Sequence, residues 1–183
     1  PRGRTMYTFG RGFHGQLGQG GYADAAAPAA VTFGAEACLA DATAIESVSC
    51  GASHCAALDP DGALMTWGLA SSGELGHGGW TPIEVDIPRR VNSMSGVKVR
   101  QIATGANHTV VGSEGGGLWT CGRGRHGQPF LPISGQPAAL RGAPQKVVPG
   151  ILTSLELPQQ RIRRSRNTVP LRHWHIFSRC LLV

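Results

Sequence analysis

The chain has 183 residues, 41% of them hydrophobic, with 27 glycines and 12 prolines, enough for one ordinary domain with many turns. Its net charge of +6 is not spread over the whole, since residues 1–157 carry 11 Lys and Arg against 11 Asp and Glu, while residues 158–183 carry six Arg and no acid. A basic binding surface covering the fold is therefore excluded, and so is a membrane helix, because no run of 18 apolar residues occurs.

Residues 7–20 open the chain with Tyr7-Thr8-Phe9-Gly10 followed by a glycine-rich run through Gly12, Gly15, Gly18 and Gly20. The alternation over Met6 to Phe9 predicts a short half-buried strand, and the glycines predict tight turns after it. Residues 22–44 are rich in Ala and ambiguous, except that Pro28-Ala29-Ala30-Val31 predicts the start of another short strand.

From residue 45 the β pattern is clearer. Ile45 to Cys50 alternates, Gly51-Ala52-Ser53-His54 turns, and Cys55 to Leu58 forms the next strand. Asp59-Pro60-Asp61-Gly62 then predicts a hairpin into Ala63-Leu64-Met65-Thr66-Trp67. Met65-Thr66-Trp67-Gly68, with Gly73 and Gly76 behind it, is a second copy of the opening motif, and Pro88-Arg89-Arg90-Val91 stands where Pro28 stood.

The module returns at Val99 to Thr104, Gly105-Ala106-Asn107-His108 and Thr109 to Val111, and closes on Trp119-Thr120-Cys121-Gly122 with Gly127 beyond. The first glycines of the three motifs, Gly10, Gly68 and Gly122, are 58 and 54 residues apart, and Gly51 and His54 recur 54 residues later as Gly105 and His108. Two elements repeating in phase at about 55 residues, with no helical pattern as long as ten, predict an all-β array of blades of short antiparallel strands. Trp67 and Trp119, at the repeated stretch, are candidate core pegs whose loss to Ala would cost about 3–5 kcal/mol.

The third copy decays into Gln128-Pro129-Phe130, although Pro144-Gln145-Lys146-Val147 restores the phase and Ile151 to Leu155 has strand character. After Leu157 the pattern stops, and Arg161-Ile162-Arg163-Arg164-Ser165-Arg166 stands where the next repeat should be. Beginning at Pro1 and entering a repeat at once, the chain reads as a piece of something longer.

Apolar-Thr-Trp-Gly, Gly-x-Leu-Gly-x-Gly, Pro-x-x-Val and Ser-Cys-Gly-Ala-Ser-His, followed by a strand closed by Asp-Gly, together resemble the regulator of chromosome condensation (RCC1) repeat over residues 7–151. The resemblance implies part of a seven-bladed β-propeller, about two and a half repeats of it. Residues 1–157 are then RCC1-like repeats, with motifs at 7–20, 65–79 and 119–128, and residues 158–183 a disordered basic tail. The structural repeat positions become Gly10, Gly15, Gly18, Gly51, His54, Trp67, Gly68, Gly73, Gly76, Gly105, His108, Trp119, Gly122 and Gly127. Family members serve as guanine-nucleotide exchange factors for a small GTPase, ubiquitin-ligase modules, an ultraviolet photoreceptor and binding platforms. The photoreceptor's Gly-Trp-Arg-His element stands here as Gly51-Ala52-Ser53-His54 and Gly105-Ala106-Asn107-His108, without its tryptophan, and no loop matches the one through which the exchange factors act.

Sharper chemistry fares poorly against these motifs. Gly10-Arg11-Gly12-Phe13-His14-Gly15 and Gly122-Arg123-Gly124-Arg125-His126-Gly127 fit G-x-G-x-x-G, but dinucleotide binding needs a helix starting at the third glycine. Gly15 leads into Gln16-Leu17-Gly18 and Gly127 into Gln128-Pro129-Phe130, neither of which can start one. Cys50, His54 and Cys55 invite zinc, yet the matching second Gly-Ala-x-His element has Thr104 and Thr109 in place of both cysteines. The sequon at Asn107-His108-Thr109 falls in a blade turn. In the tail, Arg161 to Arg166 suits nuclear import or nucleic acid, His173 and His175 are only two ligands, and Cys180-Leu181-Leu182-Val183 matches a prenylation box except at its final Val. Five scattered cysteines favour reduced thiols and an intracellular setting, cytoplasmic or nuclear.

No nucleophile, carboxylate pair or phosphate loop survives, so the expectation is a non-enzymatic protein-interaction module without cofactor or metal. Its partner is another protein, a small GTPase among the candidates, and contact with nucleic acid or chromatin falls to the tail alone. The alternative is a portion of a guanine-nucleotide exchange factor for a Ran-like small GTPase.

Overall fold

The computed structural model describes residues 6–34, 45–78, 83–123, 145–147 and 179–182. Its strands in chain order are β1 (Met6–Gly10), β2 (Ala25–Ala30), β3 (Ser47–Cys50), β4 (His54–Leu58), β5 (Leu64–Ala70), β6 (Ile83–Arg90), β7 (Val99–Thr104), β8 (His108–Ser113), β9 (Leu118–Gly122), β10 (Gln145–Val147) and β11 (Arg179–Leu182). One 3-10 turn, Asn92–Met94, joins β6 to β7, and there is no α-helix among the described residues. The strands form three antiparallel sheets in the orders β11-β1-β2, β3-β4-β5-β6 and β10-β9-β8-β7. This is the all-β, bladed arrangement that the repeat predicts.

The middle blade is packed on both faces, which explains its composition. Along β4, Cys55 and Ala57 join Met6, Val31, Met65 and Trp67 in one cluster, whereas Ala56 and Leu58 join Leu64, Val91, Val99 and Val111 in the other. Alternate side chains of a strand point to opposite faces, so a strand covered on both sides has no polar set to show. The first cluster glues the middle blade to the β1–β2 blade, and the second glues it to the β7–β8 blade.

The hairpin between β4 and β5 forms as its residues predict. The Asp59 carboxylate accepts from the Ala63 amide at 2.7 Å, and the Gly62 amide donates to the Asp59 carbonyl at 3.1 Å. The prolines sit differently from expectation: β2 and β6 begin well before Pro28 and Pro88 and carry them inside. The register explains how, since Thr8 pairs with Ala29 but Gly10 with Ala25, and Thr66 pairs with Arg89 but Gly68 with Val85. Each proline lies in the bulge between those pairs, where a missing N–H breaks no rung. The strand at Met65-Thr66-Trp67 likewise does not stop at the tryptophan but runs on to Ala70.

Arg179–Leu182 of the basic tail is a strand, with Phe9 opposite Arg179 and Met6 opposite Leu182. Arg161 to Arg166, His173 and His175, the strand expected at Ile151 to Leu155 and Gly127 of the third motif lie outside the described residues.

Candidate functional site

The repeated motifs converge on two backbone carbonyls at the seams between blades. After Gly10 and Gly68 the chain turns tightly and places Gln16 and Glu74 at equivalent positions, both buried. The carbonyl of Gln16 accepts from the Trp67 indole Nε1 at 3.0 Å and from the Cys55 thiol at 3.3 Å. One blade on, the carbonyl of Glu74 accepts from the Thr109 hydroxyl at 2.8 Å and the Cys121 thiol at 3.3 Å. Cys55 and Thr109 each follow the repeated histidine, and Trp67 and Cys121 each precede the repeated glycine. The same two positions therefore fasten each blade to the one before it, by different chemistry.

Within a blade, the motif threonine closes its own turn. Thr8 donates to the Leu17 carbonyl at 2.5 Å and Thr66 to the Leu75 carbonyl at 2.6 Å. Gly18, at φ 68°, lies where a Cβ would meet Trp67 Nε1 at 2.8 Å, so the glycine run leaves the space that the next blade's indole fills. Gly68 and Gly122 also hold positive φ, with a would-be Cβ 2.7 Å from the Cα of His54 and of His108 respectively. Gly10, Gly15, Gly73 and Gly76 are likewise at positive φ, whereas Gly51 and Gly105 are glycines for closeness alone, since the His54 and His108 rings lie against their Cα atoms.

His54 is buried, with Nε2 3.0 Å from the Thr109 hydroxyl. That hydroxyl also donates to the Glu74 carbonyl, and the His54 ring makes a second hydrogen bond to the His108 backbone. Burial, and secondarily His108, pushes the His54 pKa down to about 4, so the ring is neutral at physiological pH. His77, 3.2 Å from the Thr66 hydroxyl, is held to about 4 by burial and then by Arg89. Burial pushes the Cys121 thiol up to about 12, which makes it a packing group and not a nucleophile.

The chemistry weighed from sequence does not assemble. His54 reaches toward Thr109 on one side of the middle blade, and Cys55 toward Gln16 on the other, so with Cys50 they share no metal-binding point. No group of three or more metal-ligating side chains occurs among the described residues. At the dinucleotide-like glycines, the Gly15 amide donates to the Gly12 carbonyl and that of Gly18 to Gly15, so the turn uses the amides a pyrophosphate would need. Trp67 is fully buried at the seam, but Trp119 stands at the repeat position of Met65, half-buried against the second cluster, and is not its equivalent.

Two exposed features escaped the sequence reading. Phe13, 67% exposed, and Tyr22, 49% exposed, both lie on the β1–β2 connection, whose limbs are tied by the Gly12 amide donating to Asp24 at 2.9 Å. His14 beside Phe13 meets Glu84 of the middle blade at 2.7 Å. Phe13 occupies the turn position filled by Ser71 one repeat on, so the turn itself makes no demand for an aromatic. That comparison of copies was the available signal.

The regulator of chromosome condensation (RCC1) repeat matches the chain at residues 5–58 and 61–111, and a second form of it at 45–74 and 99–128. The chain is 30% identical to the ultraviolet-B receptor UVR8 of Arabidopsis thaliana over 68% of its own length and 27% of the receptor's. It is 33% identical to the E3 ubiquitin-protein ligase HERC2 of Homo sapiens over 67% of its length and 2% of the ligase's. Among solved structures it is similar to human WBSCR16, with TM-score 0.65 and 25% identity over 83% of this chain and 35% of that one. Prp20p of Saccharomyces cerevisiae superimposes at TM-score 0.61 with 22% identity, over 80% of this chain and 34% of Prp20p. The chain thus spans about a third or less of each protein it resembles.

Proposed function

The chain belongs to the regulator of chromosome condensation (RCC1) repeat family, and on that premise we propose that it is a non-enzymatic interaction module, a portion of a propeller whose connecting loops present a surface to another protein. The observation that carries this is the exposure of Phe13 and Tyr22 on one connection, Phe13 at a position where the next copy of the motif has Ser71. Exposed aromatics of this kind are what partner proteins bury as anchors. The class of partner finds support in a structural relative, since Prp20p is described with binding properties to Gsp1p and histones. The repeated glycines, His54, His108, Trp67 and Trp119 we assign to fold building. We place the protein inside the cell, in nucleus or cytoplasm, on its five scattered cysteines, an odd number that does not read as a disulfide framework. No helix among the described residues is long and apolar enough to cross a membrane, and any contact with nucleic acid or chromatin we assign to the basic tail.

The test is binding of the purified chain to a panel of small GTPases, histones and nuclear-import adaptors, repeated with the double variant Phe13→Ser and Tyr22→Ser. The expected result is one partner whose affinity falls at least tenfold in the variant, about 1.4 kcal/mol. Undiminished binding by a folded double variant would remove this surface from the interaction. The exchange-factor alternative is tested on the same panel by nucleotide release, where acceleration of a Ran-like GTPase would replace the interaction-module reading.

A further inference from the structure

Cys50 on β3 and Cys55 on β4 face each other across the ladder as direct Cα partners. The adjoining pair, Gly51 and His54, is joined by the Gly51 amide donating to the His54 carbonyl at 2.8 Å. Hydrogen-bonded and non-hydrogen-bonded pairs alternate along an antiparallel ladder, so Cys50 and Cys55 form a non-hydrogen-bonded pair, the closer kind, with Cα atoms about 4.5 Å apart. That spacing lies inside the range of about 4.4–6.8 Å that a disulfide spans. Both side chains also point to the same face, because both pack with the Met6, Met65 and Trp67 cluster. Both are cysteines outside any disulfide, Cys55 at 1% exposure and Cys50 only half-buried. The fold does not require sulfur here, since the same paired positions in the next blade are Thr104 and Thr109.

We propose that Cys50 and Cys55 are a modification site, at which a peroxide converts the facing thiols into a disulfide. Cys50, the more accessible, attacks one peroxide oxygen as its thiolate; the O–O bond breaks and the departing hydroxide takes a proton to leave as water. The sulfenic acid formed on Cys50 is then attacked by the Cys55 sulfur. The S–S bond forms, the S–O bond breaks, and the hydroxide released takes the Cys55 proton as a second water. The two sulfurs together lose two electrons, and one peroxide gains them. The product has a structural effect, because the Cys55 thiol can no longer donate to the Gln16 carbonyl. One of the two bonds holding the β1–β2 blade to the middle blade is lost, and that of the Trp67 indole remains.

The test treats the folded full chain with hydrogen peroxide, blocks the remaining thiols with an alkylating agent, and maps the five cysteines by peptide mass. The expected product is a Cys50–Cys55 link, seen as the loss of two hydrogens and of two alkylation sites on one peptide, and reversed by dithiothreitol. It should form faster in the folded chain than in denaturant, since the ladder supplies the proximity. Cys50→Thr, which copies Thr104, keeps the fold and should leave Cys55 as a thiol. The proposal is overturned if Cys50 proceeds to the sulfinic acid while Cys55 stays free, if either cysteine links instead to Cys38, Cys121 or Cys180, or if denaturation does not slow the linkage.

Discussion

At the scale of single residues, the repeat is held by side chains whose letters change from copy to copy while their bonds do not. Cys55 and Thr109 donate to the same kind of carbonyl, as do Trp67 and Cys121. Gln16 and Glu74 recur in the motif as Gln or Glu after Gly15 and Gly73, but the acceptors were illegible in the sequence, since a backbone carbonyl has no letter. His54 was legible by its recurrence as His108, and its burial makes it a pH-sensitive point. Its pKa is lowered from 6.5 to about 4, first by burial and then by His108. Between those values the unfolded chain binds a proton that the native chain refuses. Stability is therefore full above pH 6.5 and declines as pH falls toward 4, by up to about 3 kcal/mol for this group. His77 pulls in the same direction, and carboxylates add their own slope near the acid end, so the informative quantity is a difference between two proteins. Thermal midpoints of the wild type and of His54→Gln, measured from pH 7 to pH 4, should converge as the pH falls. Parallel profiles would show that His54 is not the group responsible.

At the scale of elements, strands and hairpins were read correctly where alternation and turn chemistry agree, as at Asp59 to Ala63. They were misread where a bulge intervened, because Pro28 and Pro88 look like strand starts and a register shift is not written in local composition. The seam between the middle blade and the β7–β8 blade depends on Thr109, whose hydroxyl meets both the Glu74 carbonyl and His54 Nε2. Thr109→Val keeps the shape and removes the hydroxyl, so the Glu74 carbonyl keeps only the Cys121 thiol and His54 Nε2 loses its hydroxyl partner, at a cost of about 1–3 kcal/mol. Thr109→Cys restores a donor of the kind that Cys55 supplies at the neighbouring seam, and should recover part of the loss. Urea unfolding of the three proteins checks the ordering wild type, then Cys, then Val. Equal midpoints for Val and wild type would mean the Thr109 hydroxyl adds nothing to the seam.

At the scale of the whole molecule, the array was legible from its two periodic motifs, but the way its first blade is completed was not. In the other two blades the strand bearing the motif glycine lies beside the strand that follows the repeated histidine: β5 beside β4, and β9 beside β8. Beside β1, the place that β4 and β8 take in the other two blades is held by β11. Nothing in Arg179-Cys180-Leu181-Leu182 repeats Gly-x-x-His, so the pairing is carried by backbone bonds that any sequence can make. An uncovered edge exposes its amides to exchange and to pairing with other chains. Removing residues 179–183 from the full chain should therefore speed hydrogen exchange at residues 6–10, while exchange in β4 and β5, which touch both clusters, stays as it was. Because the register sets Phe9 against Arg179 and Met6 against Leu182, the change should be confined to β1 and not spread to β8 or β9. Unchanged exchange at residues 6–10 would show that β1 holds its place through Met6 and the first cluster without any help from the tail.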